Sequence, residues 1–264
     1  MPAEPIRFED GAAYEQAMGL WSQAVGRDFL TWLALPTGLR WVDIGCGNGA
    51  FTGLVLEHAG PSKIEGIDPS PGQIAYASSR ASARGARFQI GDALSLPFED
   101  STFDVAIMAL VIFFVPAPTH GVDEMVRVVR PGGWVATYAW DILGGGFPFS
   151  PIHAEMAARG MMPVAPPFAE VSQAEALQRR WCEAGLEHIE GRPFTVQREF
   201  VSFEHFWTAS TALSTMKSVF EKMPSPELAD FKAGVRARLP AAATDGSIVH
   251  TARANAIRGR RHAG

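Results

Sequence analysis

The chain has 264 residues, 47% of them hydrophobic and 19% charged, with a formal net charge of −5. That length and balance exclude a disordered chain and allow one large domain or a domain with a cap. The acidic balance argues against a dedicated nucleic-acid binder, and two cysteines, Cys46 and Cys182, are too few for a disulfide framework or a zinc site.

Met1 to Asp10 has no apolar stretch and carries Glu4, Glu9 and Asp10, so no signal peptide is expected. Tyr14, Met18, Trp21, Val25, Phe29 and Trp32 recur at helical spacing and predict one or two helices over 11–35. Such a segment either packs on a sheet or serves as a lid. Trp41, Val42 and Ile44 read as a buried strand that stops in glycine at 45, 47 and 49, and Phe51, Leu54, Val55 and Ala59 restart the chain as a helix. A strand turning through glycine into a helix leaves free backbone N–H groups at the helix start, and no Cβ keeps a ligand away. This is a nucleotide-binding crevice at the carboxyl edge of a parallel sheet.

Gly60-Pro61 ends that helix, and Lys63 to Ile67 forms a second strand closing at Asp68. Ser70 reads as an N-cap with Pro71 at the first helical position and Gly85 as the stop. Ala86 to Ile90 is a third strand that runs into Gly91-Asp92-Ala93. Phe103 to Ala109 is apolar apart from Asp104, as in a strand covered on both faces. Val105 to Val115, the longest apolar run, is too short to cross a bilayer and stops at Pro116, so no membrane insertion and a cytoplasmic location are expected. Val122, Met125, Val126 and Val129 mark a helix, and Pro131-Gly132-Gly133 turns into a strand over Trp134 to Trp140. Five strands alternating with helices mean an α/β, doubly wound parallel sheet.

In the second half, Gly144-Gly145-Gly146 and five prolines make 142–168 mostly loop with a short helix near 152–159. Ser172-Gln-Ala-Glu175 reads as a capping box opening a helix through Leu177 and Trp181 that Gly185 stops. Glu187 to Phe200 is a sixth strand, residues 203–239 are helical with a fresh start at Ser225-Pro226-Glu227, and Ser247 to Ile257 is the final strand. The basic tail Arg258-Gly-Arg260-Arg261-His262 reads as a solvated terminus.

Gly45, Gly47 and Ala50 satisfy G-x-G-x-x-G/A, with Asp68 about twenty residues on, as in dinucleotide enzymes; no Walker Gly-Lys-Ser/Thr follows. The same stretch also reads Asp43-x-Gly45-x-Gly47-x-Gly49. Here the chain resembles the class I S-adenosylmethionine-dependent methyltransferases, whose first motif is (D/E)-x-G-x-G-x-G. Gly-Ile-Asp68-Pro69, Gly91-Asp92-Ala93, Phe103 to Leu110 and Glu124 to Gly133 match the later motifs in order.

The resemblance implies a Rossmann-like seven-stranded sheet with its last strand antiparallel, a helical cap, S-adenosylmethionine as cofactor and S-adenosylhomocysteine as product. It places Asp68, followed by Pro69, on the ribose hydroxyls and Asp92 on the adenine amino group, with Ala93 or Leu94 against the ring. Gly45, Cys46 and Gly47 line the turn, Asp43 lies near the cofactor's amino group, and the strand end at Ala109 faces the methionine part. Asp43 has a second reading, as a carboxylate that only satisfies backbone N–H groups of the turn. Asp68→Ala is expected to weaken cofactor binding while leaving the fold intact.

A sulfonium makes its methyl group electrophilic by itself, so the protein mainly supplies alignment and a dry pocket. No residue declares itself as a general base; Asp141, His120, His153 and His205 are candidates by type or place. Aromatic and methionine residues of the two insertions, 142–168 and 203–239, either bury the cap or line an apolar acceptor pocket, for which Tyr14, Trp21, Trp140 and Trp207 are the candidates. The expected division is a helical lid over 1–36, a cofactor-binding core over 37–141, and over 142–264 the rest of the sheet with its cap. The expected activity is methyl transfer to a small, partly apolar molecule, without a metal and without nucleic acid. The alternatives are an NAD(P)-dependent oxidoreductase and a non-catalytic protein that retains the pocket.

Overall fold

The computed structural model describes residues 15–163, 165–212 and 214–263. Strands β1 (Arg40–Ile44), β2 (Lys63–Asp68), β3 (Arg87–Ile90), β4 (Phe103–Ala109), β5 (Val129–Trp140), β6 (Glu187–Phe200) and β7 (Ile248–Arg260) form one sheet. Their order is β3-β2-β1-β4-β5-β7-β6. The first five strands pair in parallel, and β7 lies antiparallel between β5 and β6. The expected seven-stranded α/β sheet with an antiparallel last strand is the one formed. β4 sits at its centre and is buried along its length up to Ala109, which explains its apolar sequence apart from Asp104, a carboxylate paired with Arg130.

A π-turn at Glu15–Gly19 leads into α1 (Leu20–Leu33), whose buried stripe is Trp21, Val25, Phe29 and Leu33. α1 crosses α2 (Ala50–His58) at Gly26, where a Cβ would lie 2.8 Å from Leu54 Cδ1 and 3.2 Å from the Tyr138 hydroxyl. Gly26→Val should therefore overpack this crossing and cost about 1–3 kcal/mol, read from urea unfolding. An unchanged midpoint would mean that α1 does not sit against α2 this closely.

α3 (Pro71–Ser79) starts as expected, with the Ser70 hydroxyl accepting from the Gln73 N–H at 3.4 Å and Pro71 in the first turn. It ends at Ser79, before the expected stop: Arg80 turns extended, a 3-10 turn covers Ala81–Ala83, and Gly85 (φ +104°) follows that turn. α4 (Pro118–Val128) stops one residue before Val129, which already belongs to β5. α5 (Ser150–Ala158) and α6 (Ala174–Glu183) follow. The expected capping box of α6 does not form. Ser172 lies in a preceding 3-10 turn with its hydroxyl donating to the Ala169 carbonyl at 2.6 Å, and Gln173 caps α6 without a side-chain bond.

The cap is built from α5 together with α7 (Phe203–Ser210), α8 (Ser214–Glu221) and α9 (Ser225–Ala237). It has an aromatic centre of its own, where Trp207, Phe220 and Phe231 meet at 4.8–6.1 Å. Buried Glu155 ties α5 to α9 through Arg159 and Arg238. β6 and β7 are longer than the strand they join. Trp140, the last residue of β5, pairs with Ala254, whereas Phe200 pairs with Ile248. The two strands thus continue as a ribbon for six residues past the end of β5, roughly 20 Å beyond the sheet's carboxyl edge.

Candidate functional site

At the carboxyl end of β1 the backbone takes three left-handed turns in five residues, at Gly45 (φ +73°), Gly47 (φ +52°) and Gly49 (φ +75°). Gly45 and Cys46 both donate their N–H to the Ile67 carbonyl, at 2.7 and 3.0 Å, which ties the corner to β2. A Cβ on Gly45 would lie 2.5 Å from Val111 Cγ1, so Val111 packs directly over this residue. A Cβ on Gly47 would meet nothing within 4 Å. One side of the corner is filled by the protein and the other is open.

Asp68 closes β2 and braces the corner. Its Oδ2 accepts from the Gly47 N–H at 3.0 Å and its Oδ1 from the Ser70 N–H at 2.9 Å. Burial pushes this carboxyl above its ordinary value, against the pull of those two N–H groups. Asp43, inside the end of β1, is almost fully buried, and its Oδ2 accepts from the Thr52 hydroxyl at 2.6 Å. Its Oδ1 is shut off from solvent and has no hydrogen-bond partner. Burial dominates, the Thr52 hydroxyl opposes it, and the charge of Asp68 adds to it, so the Asp43 carboxyl is pushed up to about 7. The Thr52 backbone N–H also acts on this carboxyl, as the reading of Asp43 as an acceptor for backbone N–H groups expects, but Oδ1 is left without a partner. Cys46 is buried beside both carboxylates, and burial first, then their charges, hold its thiol protonated.

The other motif residues converge on this corner. Gly91 donates its N–H to the Asp68 carbonyl at 3.2 Å, which places the end of β3 beside the end of β2. Asp92 is exposed, with Oδ1 accepting from the Leu94 N–H at 2.9 Å, and Ala93 and Leu94 are half-buried against the core. Pro69 is exposed and Ala109 half-buried. Two residues not singled out from the sequence complete the corner. Leu110 adopts a left-handed backbone (φ +60°) with its N–H donating to the Tyr138 carbonyl at 2.9 Å, and it turns the chain so that Val111 comes back over Gly45. Leucine carries no signal for that conformation, and the apolar run continues through it to Val115, so the sequence does not mark the turn.

The candidate bases are scattered. Asp141 is buried but committed: its Oδ2 receives the Arg253 guanidinium, with Nε at 2.8 Å, and its Oδ1 accepts from the Gly144 N–H at 3.1 Å. It clamps the start of the cap loop to β7. His120 is exposed on α4. His205 is exposed and accepts the Val201 N–H at 3.3 Å, stapling the start of α7. His153 stacks on Phe147 at 5.1 Å, and burial pulls it down to about 4.

Trp140 is buried at the end of β5 with its indole N–H unpaired. Trp21 packs on the ribbon, 6.3 Å from Phe200 and edge-on to His250 at 5.8 Å. Trp207 lies in the core of the cap, and Tyr14 falls outside the described residues. A surface cleft of about 470 Å³ between α6 and the outer strands is lined by Gln178, Arg179, Arg192 and Asn255 and contains none of the motif residues. No helix among the described residues is long and apolar enough to cross a membrane.

A family model described as a methyltransferase domain matches residues 42–137, which takes in the glycine corner, Asp68, Asp92 and Leu110. The demethylmenaquinone methyltransferase of Staphylococcus aureus is 27% identical over 188 residues, covering 70% of this chain and 74% of that protein. Among solved structures, the YcgJ protein of Bacillus subtilis covers 93% of this chain and 100% of its own at a TM-score of 0.60 and 17% identity. Phosphoethanolamine N-methyltransferase 2 of Haemonchus contortus, solved with S-adenosylmethionine, covers 99% of this chain and 61% of its own at a TM-score of 0.57 and 18% identity. The matched methyltransferase domain lies on the ordered motifs and the sheet is wound in the expected order, and together they support a class I S-adenosylmethionine-dependent methyltransferase.

Proposed function

We propose that the enzyme methylates a small, partly apolar organic molecule in the cytoplasm. In this reading residues 37–141 hold the cofactor, 1–36 form a lid, and 142–264 complete the sheet and cap the acceptor. The observation that carries the cofactor part is the orphaned Oδ1 of Asp43, a buried anionic acceptor beside a backbone corner with one open side. An ammonium group suits it. Each Asp68 oxygen uses one lone pair on a backbone N–H, which leaves one for each of two neighbouring ribose hydroxyls. In this reading Asp92 takes the adenine amino group, Ala93 and Leu94 the ring, and Gly45, Cys46, Gly47, Pro69 and Ala109 the walls.

When bound, the cofactor supplies an electrophilic methyl group on a sulfonium. The chain's own contribution is orientation, worth on the order of 7–11 kcal/mol when the reacting groups are held in line, and a cover that keeps water out. Trp21 and Trp140 are the aromatic residues nearest to such a role, whereas Trp207 acts through the packing of the cap. The Staphylococcus aureus relative is named for a demethylmenaquinone acceptor, and a compound with an apolar ring fits the aromatic character of the cover here. Calorimetric titration with S-adenosylhomocysteine and with NAD tests the reading: the first should bind tightly, and binding of NAD alone would overturn it.

A pH dependence follows from Asp43. Its folded value of about 7 lies above the ordinary carboxylate value, so the native protein binds a proton that the unfolded chain releases between about pH 4 and 7. The stability this group contributes is complete below pH 4 and is lost as the pH rises through 7. The ionised form is the one that accepts an ammonium, so affinity for S-adenosylhomocysteine should fall roughly tenfold per pH unit below 7. Binding should thus strengthen while the unliganded protein loses stability over the same interval, and Asp43→Asn should flatten both trends. A flat binding profile in the parent protein would dissociate Asp43 from the ligand's amino group.

A further inference from the structure

Asp43 depends on a residue from another element. Thr52, third in α2, is fully buried, and its hydroxyl donates to Asp43 Oδ2 at 2.6 Å. A hydroxyl has one proton to give. A threonine in a helix can give it to a carbonyl three or four residues back, whereas Thr52 gives it across to β1. The Thr52 backbone N–H acts on the same carboxyl, and Gly49, just before α2, brings no side-chain cap. Asp43 thus does for α2 what a capping side chain would do, and α2 in return holds one of its two oxygens.

That hold has two effects on Asp43. Anchoring Oδ2 limits rotation of the carboxyl, and Oδ1 is the atom left unpaired. A donor to an ionised carboxylate also stabilises the ionised form. Of the influences on Asp43 the Thr52 hydroxyl is the largest that favours ionisation, while burial and the charge of Asp68 oppose it. The titratable groups that face Asp43 are Asp68, at the end of β2, and Cys46, in the turn. Its strand partners, Gly66 in β2 and Ile107 in β4, carry no charge. No basic group among the described residues acts on this carboxyl, so the hydroxyl has no cation to replace it.

We propose that Thr52 is a positioning residue of the cofactor site: its hydroxyl fixes the Asp43 carboxyl with Oδ1 left for the cofactor's ammonium group and keeps that carboxyl in the ionised form the ammonium needs. The proposal rests on the reading of Asp43 as the ammonium's acceptor. Thr52 acts only through Asp43 and touches neither cofactor nor methyl acceptor.

Two measurements on the full chain test it. Carbon-13 NMR of the Asp43 carboxyl in the unliganded protein, identified by its loss in Asp43→Asn, reads the ionisation directly. Calorimetric titration with S-adenosylhomocysteine, repeated from about pH 5 to 9, reads the consequence. Thr52→Val removes the hydroxyl and keeps the shape, so it should raise the carboxyl's titration midpoint by about 1–2 pH units. Near pH 7 it should weaken S-adenosylhomocysteine by about 5–50-fold, and by about pH 9 the gap should close to roughly twofold or less. Thr52→Ala should behave alike, and Thr52→Ser should restore both the midpoint and the affinity. A purely packing role would lower affinity equally at every pH and leave the midpoint in place. An unmoved midpoint in Thr52→Val and Thr52→Ala, a loss of affinity undiminished at the alkaline end, or no recovery in Thr52→Ser would each overturn the proposal. A raised midpoint with unchanged affinity would instead separate Asp43 from the ligand's ammonium group, striking the underlying reading and this proposal with it.

Discussion

Gly45→Ala is expected to give a protein that unfolds earlier and no longer binds S-adenosylhomocysteine. Two costs combine. A left-handed backbone at φ +73° costs a residue with a Cβ about 1–2 kcal/mol. The new methyl would also sit 2.5 and 2.7 Å from the two γ-carbons of Val111. Val111 is held by the left-handed Leu110 before it and by the 3-10 turn Ile112–Phe114 after it, so it has little room to withdraw. Overpacking of this kind costs about 1–3 kcal/mol, for a total of roughly 2–5 kcal/mol in urea unfolding. Moving Val111 or Gly45 also displaces the N–H groups that tie the corner to Ile67. Gly47→Ala is the informative control. Its Cβ meets no protein atom, so it should lose much less stability while still obstructing the ligand. Wild-type affinity in Gly45→Ala would show that the corner does not need its present shape.

Asp68→Ala should weaken S-adenosylhomocysteine by roughly 10–100-fold, the effect of losing charge-assisted hydrogen bonds to a ligand's hydroxyls. The structure changes one part of the sequence expectation for this variant. Asp68 also receives the N–H groups of Gly47 and Ser70, so its removal should not leave the fold untouched. A loss of about 1–3 kcal/mol is expected from the two orphaned donors. Asp68→Asn retains one acceptor oxygen and should recover part of the stability more readily than the affinity. Calorimetry beside denaturant unfolding separates the two effects, and unchanged affinity in Asp68→Ala would remove this carboxylate from the binding site.

The sheet was legible because its strands are dense apolar runs bounded by glycine, proline or aspartate. β6 was readable over its full length, Glu187 to Phe200, although it is half-exposed, because Gly185 stops the helix before it and a helical stretch begins at 203. The corner was legible as a motif, but not the contacts that shape it. That Leu110 adopts a left-handed turn, and that Val111 consequently covers Gly45, depends on strand pairing and not on residue type. Asp141 read as a free carboxylate at a strand end because its partner, Arg253, lies 112 residues away. Ser172 had the spacing of a capping box, but its hydroxyl found a nearer acceptor in Ala169. Such long-range and competing contacts leave no local pattern.

The position of β7 between β5 and β6 has a consequence for biosynthesis. A growing chain that has reached residue 200 holds a finished parallel half-sheet and a long β6 with nothing to pair against, because the strand that joins them has not yet been made. Only when residues 248–260 leave the ribosome can that strand slide into the gap and satisfy two edges at once. Until then β5 and β6 are both open to strands of other nascent chains, and it is the arrival of β7 that takes the chain out of reach of such mispairing.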